Sequence, residues 1–104
     1  MSNPRLETLI GMLPDEPNDP MLRYMLANEY FKAAMYSDAI EQINVYLSLK
    51  DDEGAVYRTL AQSYQKTDRP DEARKAYEKG IEAANKHGHP GMAEEFQDAI
   101  DDLD

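Results

Sequence analysis

His87 and His89 stand two residues apart on a glycine-containing turn, a spacing that could bring two imidazoles to one metal ion. A stable centre needs three or four ligands, and the chain has no cysteine and no further histidine to supply them. Both are expected to be exposed polar turn residues. Asp51, Asp52 and Glu53, just before Gly54, suggest calcium at first sight. A calcium loop of the EF-hand type spreads its oxygen ligands over about 12 residues, and Ala55, Tyr57 and Thr59 break that spacing. Acidic residues opening a helix, where its dipole favours negative charge, explain the run better. No glycine-rich phosphate loop and no serine elbow is present. The expected protein is non-catalytic, with no metal and no cofactor.

The elements that carry these residues are set by an internal repeat. One constant offset along the chain pairs Leu26 with Leu60, Ala27 with Ala61, Tyr30 with Tyr64, Lys32 with Lys66 and Ala39 with Ala73. Leu22 with Val56, Asn28 with Gln62 and Asp38 with Glu72 are conservative pairs at the same offset. The four matched alanines belong where helix backbones approach closely, because a larger side chain would hold them apart.

With these residues in view, the chain resembles the tetratricopeptide repeat family. Its repeat of about 34 residues follows the pattern W-x2-L-G-x2-Y, then A-x3-F and a closing proline. The first copy reads Arg23, Leu26, Ala27, Tyr30, Ala39 and Ile43; the second reads Tyr57, Leu60, Ala61, Tyr64, Ala73 and Tyr77. Both place alanine at the glycine and neither ends on the proline. The resemblance implies an all-α fold of antiparallel helix pairs wound into a right-handed superhelix. It points to the small bacterial single-domain members of the family.

The flanks extend the pattern. Leu6, Leu9, Ile10 and Leu13 form one apolar stripe, so residues 4–13 are expected to be the back helix of a leading half-repeat, capped by Asn3 with Pro4 at its first position. Repeat one is read as residues 20–53 and repeat two as 54–87. Residues 90–103 carry Met92, Ala93, Phe96, Ala99, Ile100 and Leu103 on one side and Glu94, Glu95, Asp98, Asp101 and Asp102 on the other, the pattern of a capping helix. Pro14, Pro17 and Pro20 stiffen the first loop. Six helices, three pairs, meet the need of repeat arrays for about three stacked units, and residues 1–104 are expected to form one complete domain.

Composition narrows the partners. The 104 residues hold 21 acidic and 11 basic side chains, a net charge of −10. That field repels phosphate backbones and anionic membrane surfaces, so neither nucleic acid nor membrane is expected. No apolar run approaches the roughly 20 residues of a membrane span, and the first residues lack a signal-peptide core. The expected location is the cytoplasm.

Charge is nonetheless unevenly spread. Residues 20–35 carry +1 and residues 54–69 carry +2, while residues 88–104 carry −6. Only the two front-helix segments are net positive. Members of the family hold peptides or partner helices in the concave groove lined by front helices, on the face opposite the signature residues. In this chain that implies Tyr24, Asn28, Phe31 and Lys32 in the first copy and Arg58, Gln62, Gln65 and Lys66 in the second. Lys32, Arg58 and Lys66 would meet acidic residues of a protein or peptide partner. The amides would hold its backbone, and Tyr24 and Phe31 would pack an apolar anchor. The chaperone-type carboxylate clamp of the family is not assembled: Asn28 matches one clamp asparagine, but Tyr24 stands in place of a lysine and Thr59 in place of the second asparagine. The alternative is a self-associating assembly module, a homodimer mated through a terminal helix, with Leu6, Leu9, Ile10, Met12 and Leu13 as the less charged end.

Overall fold

A computed structural model describes residues Asn3 to Leu103. All six elements among the described residues are α-helices: α1 (Pro4–Met12), α2 (Pro20–Lys32), α3 (Tyr36–Leu49), α4 (Ala55–Lys66), α5 (Pro70–Lys86) and α6 (Pro90–Leu103). The chain divides into two compact units, Met1–Asp51 with α1 to α3 and Asp52–Asp104 with α4 to α6.

The helix starts follow from local chemistry. The Leu6 N–H donates to Asn3 Oδ1 at 3.1 Å, and Pro4, which has no N–H to satisfy, fills the first helical position. Asp19 does the same for α2, accepting from the Met21 N–H at 2.9 Å ahead of Pro20. At α4 the cap sits two residues earlier than the helix suggests. Asp52 Oδ2 accepts from both the Gly54 and Val56 N–H groups, at 2.8 and 3.1 Å, while Gly54 takes φ 135°. One member of the acidic run is therefore a backbone cap. α1 stops at Met12, one residue short of the expected end, although Leu13 keeps helical dihedrals.

In the first unit the core is built where α1 and α3 meet α2. Leu6, Leu9, Leu22 and Leu26 form one buried cluster, with Leu13, Met25 and Tyr30 packed against it. α2 and α3 run antiparallel, as the short loop between them requires: Tyr24 near the start of α2 meets Tyr46 near the end of α3, and Phe31 meets Tyr36 at the other end. Ala27 and Ala39 are 1% and 0% exposed, the close approach that their small size permits.

The second unit repeats the pairing with α4 on α5 and adds α6. Ala61 and Ala73 are fully buried. Phe96 of α6 is fully buried as well, with its ring centroid 5.6 Å from that of Tyr77, and contributes about 2–3 kcal/mol of hydrophobic burial. Gly80 makes this contact possible: a Cβ there would lie 2.6 Å from the Phe96 ring and 2.9 Å from Tyr57 Cβ. The outer side of α6 exposes Glu94, Glu95, Asp98, Asp101 and Asp102. Among the described residues no helix is long and apolar enough to cross a membrane.

Candidate partner-binding faces of the front helices

Each front helix buries one side in the core of its own unit and leaves the candidate residues at least partly exposed. On α2, Leu22, Leu26, Ala27 and Glu29 are buried. The candidate residues Tyr24, Asn28 and Phe31 are half-buried and Lys32 is exposed. Both aromatic rings already have an intramolecular neighbour. Tyr24 lies 5.4 Å from Tyr46 in a tilted pair, and Phe31 lies 5.5 Å from Tyr36 edge-on. Each keeps only part of its surface for an outside group.

Lys32 points its ammonium at Glu29, with Nζ to Oε1 at 3.8 Å. Glu29 is the more strongly held partner of Arg5 on α1, whose Nε donates to the same oxygen at 2.8 Å. The Glu29 side chain is only 11% exposed while Lys32 is 73% exposed, so the lysine remains available to a second carboxylate. Sequence reading missed Glu29. Its clue is a charged residue inside the apolar stripe of α2, where the second copy has the buried Ser63.

On α4, the four candidates differ more. Arg58 forms a two-pronged ion pair with Glu95 of α6, Nε to Oε2 at 2.6 Å and Nη2 to Oε1 at 2.7 Å, and its guanidinium lies 5.5 Å from the centre of the Phe96 ring. The hydrogen bonds from Arg58 hold the Glu95 carboxyl below its usual range, against a smaller opposing effect of burial. Gln65 is exposed, and its Oε1 accepts from the Tyr77 hydroxyl at 2.8 Å. Burial, with a further push from Glu95, raises that hydroxyl above the ordinary tyrosine value and keeps it a donor. Gln62 is half-buried and Lys66 exposed; neither side chain has a hydrogen bond or ion pair among the described residues.

Arg23 occupies the place of the signature aromatic in the first copy. It replaces aromatic packing with hydrogen bonds, donating from Nε and Nη2 to the Pro17 carbonyl at 3.1 and 2.9 Å and from Nη1 to Gln42 Oε1 at 2.9 Å. These bonds tie the proline-rich loop and α3 to the same side chain. His87 and His89 both approach Glu53 Oε1, at 4.0 and 3.9 Å. No group of three metal-ligating side chains that could hold an ion occurs among the described residues.

The comparisons with known proteins agree with this architecture. The profile of the family described as Tetratricopeptide repeat matches residues 54–87. A tetratricopeptide repeat domain protein from Salinibacter ruber, solved in solution, is 33% identical with a TM-score of 0.74, over 85% of this chain and 89% of that one. A protein from Bordetella parapertussis, also solved in solution, shares the fold at a TM-score of 0.81 and 23% identity, over 99% of this chain and 89% of that one. No curated protein matches significantly. Two copies of the repeat pattern, helices where that pattern requires them and a relative one-third identical over most of both chains together place the chain in the tetratricopeptide repeat family.

Proposed function

We propose that this protein is a non-catalytic binding module whose front helices α2 and α4 each offer a face to an extended peptide or a partner helix bearing carboxylates. Tetratricopeptide repeats generally serve protein–protein interaction and are typically not enzymes. The leading half-repeat, repeats one and two and the cap act in this reading as one interaction domain.

The observation that carries the reading is a repeated, unused pair of polar positions. Asn28 and Gln62 hold the same place in the two copies, and each offers a side-chain amide with no hydrogen bond to the described protein. Lys32 and Lys66 follow one helical turn later on both helices. An amide both donates and accepts, which suits a main chain, and a lysine one turn on suits a carboxylate. Gln65 keeps its NH2 group for a carbonyl while its oxygen receives Tyr77. Tyr24 and Phe31 offer their remaining ring surface to an apolar anchor. Arg58 joins only by exchanging Glu95 for a ligand carboxylate. Self-association through α1 rests on exposed Ile10 and Met12. The face of a nine-residue helix falls well short of the ~800 Å² per partner of a stable interface, so binding of another protein is the reading adopted.

The test compares immobilised wild type with a Lys32→Glu/Lys66→Glu variant of equal thermal stability in native lysate. A partner retained by the first and lost by the second supports the reading. Equal retention of every captured protein would sink the assignment of these faces.

A further inference from the structure

The two front helices share an amide and a lysine one turn apart, but they differ in the turns before them. Met21, Met25, Asn28 and Lys32 follow one another at spacings of four, three and four, and so form a single stripe along α2. The same register on α4 holds Ala55, Thr59, Gln62 and Lys66. The apolar half of the stripe therefore belongs to α2 alone. Met21 is 58% exposed, more than any other large hydrophobic residue among those described. Met25 is half-buried against the core of its unit, and Tyr24 beside it is half-buried on Tyr46. At the other end of the stripe the Lys32 side chain is 73% exposed. Asp19 accepts from the Met21 N–H and makes the methionine end acidic.

We propose that this stripe selects an extended segment of a partner protein that carries one acidic side chain and, about four to six residues away, one large apolar side chain. The proposal rests on the role of the α2 face given above and adds a register to it. Met21 and Lys32 are 11 positions apart, about 16 Å along the helix axis. An extended chain covers that span in about five residues, at about 3.3 Å each, and two long unbranched side chains absorb a residue either way. The carboxylate pairs with Lys32, whose own neighbour Glu29 is already held by Arg5 at 2.8 Å. The apolar side chain packs on Met21 and Tyr24, where a flexible thioether adapts to leucine, methionine or phenylalanine. Asn28 lies between the two, and its amide both donates to and accepts from the intervening main chain. Asp19 fixes which end is which, because a carboxylate placed beside Met21 would meet a like charge.

The test is selection from a phage library of random peptides, long enough to follow α2 in extended or helical form, on the immobilised full chain. Enriched sequences are expected to share an Asp or Glu about four to six positions from a Leu, Met or Phe, in either order. Against Lys32→Glu, Lys or Arg should replace the acid at the same spacing; against Met21→Lys, a second acid should replace the apolar residue. A synthetic peptide of the enriched sequence should lose about tenfold or more in affinity for either variant, and less than about twofold for Lys66→Glu. Both α2 side chains are exposed, and circular dichroism and Tm check that the variants keep the fold. Acids selected through Lys32 or Lys66 with no spaced apolar residue would overturn the register and leave the broader reading of these faces standing. An acid and an apolar residue about 11 positions apart would mark a helical occupant and overturn it as well. Enrichment that neither lysine substitution alters, or no enrichment at all, overturns both.

Discussion

Ala34 and Asp68 hold the same place in the two repeats and share a left-handed backbone, with φ of 60° and 57°. Each ends a front helix, and the next N–H closes the same turn: Met35 donates to the Tyr30 carbonyl and Arg69 to the Tyr64 carbonyl, both at 2.9 Å. Gly88, with φ 75°, repeats it after α5, where the His89 N–H reaches the Ala84 carbonyl at 2.7 Å. The left-handed region costs an L-residue about 1–2 kcal/mol, and alanine has no side-chain group to offset it. Ala34→Gly should therefore raise stability in urea unfolding by about 0.5–1 kcal/mol. Asp68→Gly should gain less, because aspartate tolerates this conformation better than alanine.

Gly80 has the opposite sensitivity. Alanine is the better helix former by about 1 kcal/mol, which taken alone predicts a gain. The added Cβ would sit 2.6 Å from the Phe96 ring and 2.9 Å from Tyr57 Cβ, and overpacking of this kind costs about 1–3 kcal/mol. Gly80→Ala should lower the stability of the second unit in spite of its propensity. Pairing it with Phe96→Leu should cost less than the two changes summed, a coupling that a double-mutant cycle in urea reads directly.

How much of this is legible in the sequence differs by kind of contact. Local signals read through: Asn3 and Asp19 cap, Pro4, Pro20, Pro70 and Pro90 open helices, and the repeat period orders the buried alanines. The period also identifies which side of each front helix packs inward. It cannot identify where long polar side chains end. Several carboxylates share the outer part of α6, and only the packing of Phe96 under Arg58 selects Glu95. Gln65 likewise reads as free in the sequence, whereas Tyr77, a signature residue of α5, reaches it in the fold. Ala34 carries no turn signal at all, because its left-handed backbone is imposed by the helix pair on either side.

Arg5 and Glu29 join α1 to α2 at the buried end of a carboxylate. With Arg5 removed, Glu29, whose side chain is 11% exposed, keeps among the described residues only Lys32 at 3.8 Å. An under-satisfied, largely buried acceptor costs about 1–3 kcal/mol, so Arg5→Ala should destabilise the first unit by that order. Replacing both partners by apolar residues of similar size, Arg5→Met with Glu29→Leu, should recover most of the loss. If the double variant is no better than Arg5→Ala, the loss comes from α1 packing and not from the stranded carboxylate. Thermal unfolding of the three variants separates the cases.

The ion pair of Arg58 and Glu95 should make the second unit sensitive to acid. Its hydrogen bonds lower the folded-state pKa of Glu95 below the ordinary 4.5. A carboxylate with a depressed folded pKa stabilises above its unfolded value, and that contribution is lost as pH falls through the folded one. The effect is therefore complete at neutral pH and fades below about 4.5, with a size under about 1 kcal/mol because both side chains are partly exposed. Glu95→Gln should remove this part of the pH dependence. Carbon-detected titration of Glu95 should give a midpoint below that of a free glutamate. In Arg58→Met, which keeps apolar cover over Phe96, the midpoint should rise to the ordinary range or above it, since burial then acts unopposed. An unchanged midpoint would mean that Arg58 does not hold the carboxylate in solution.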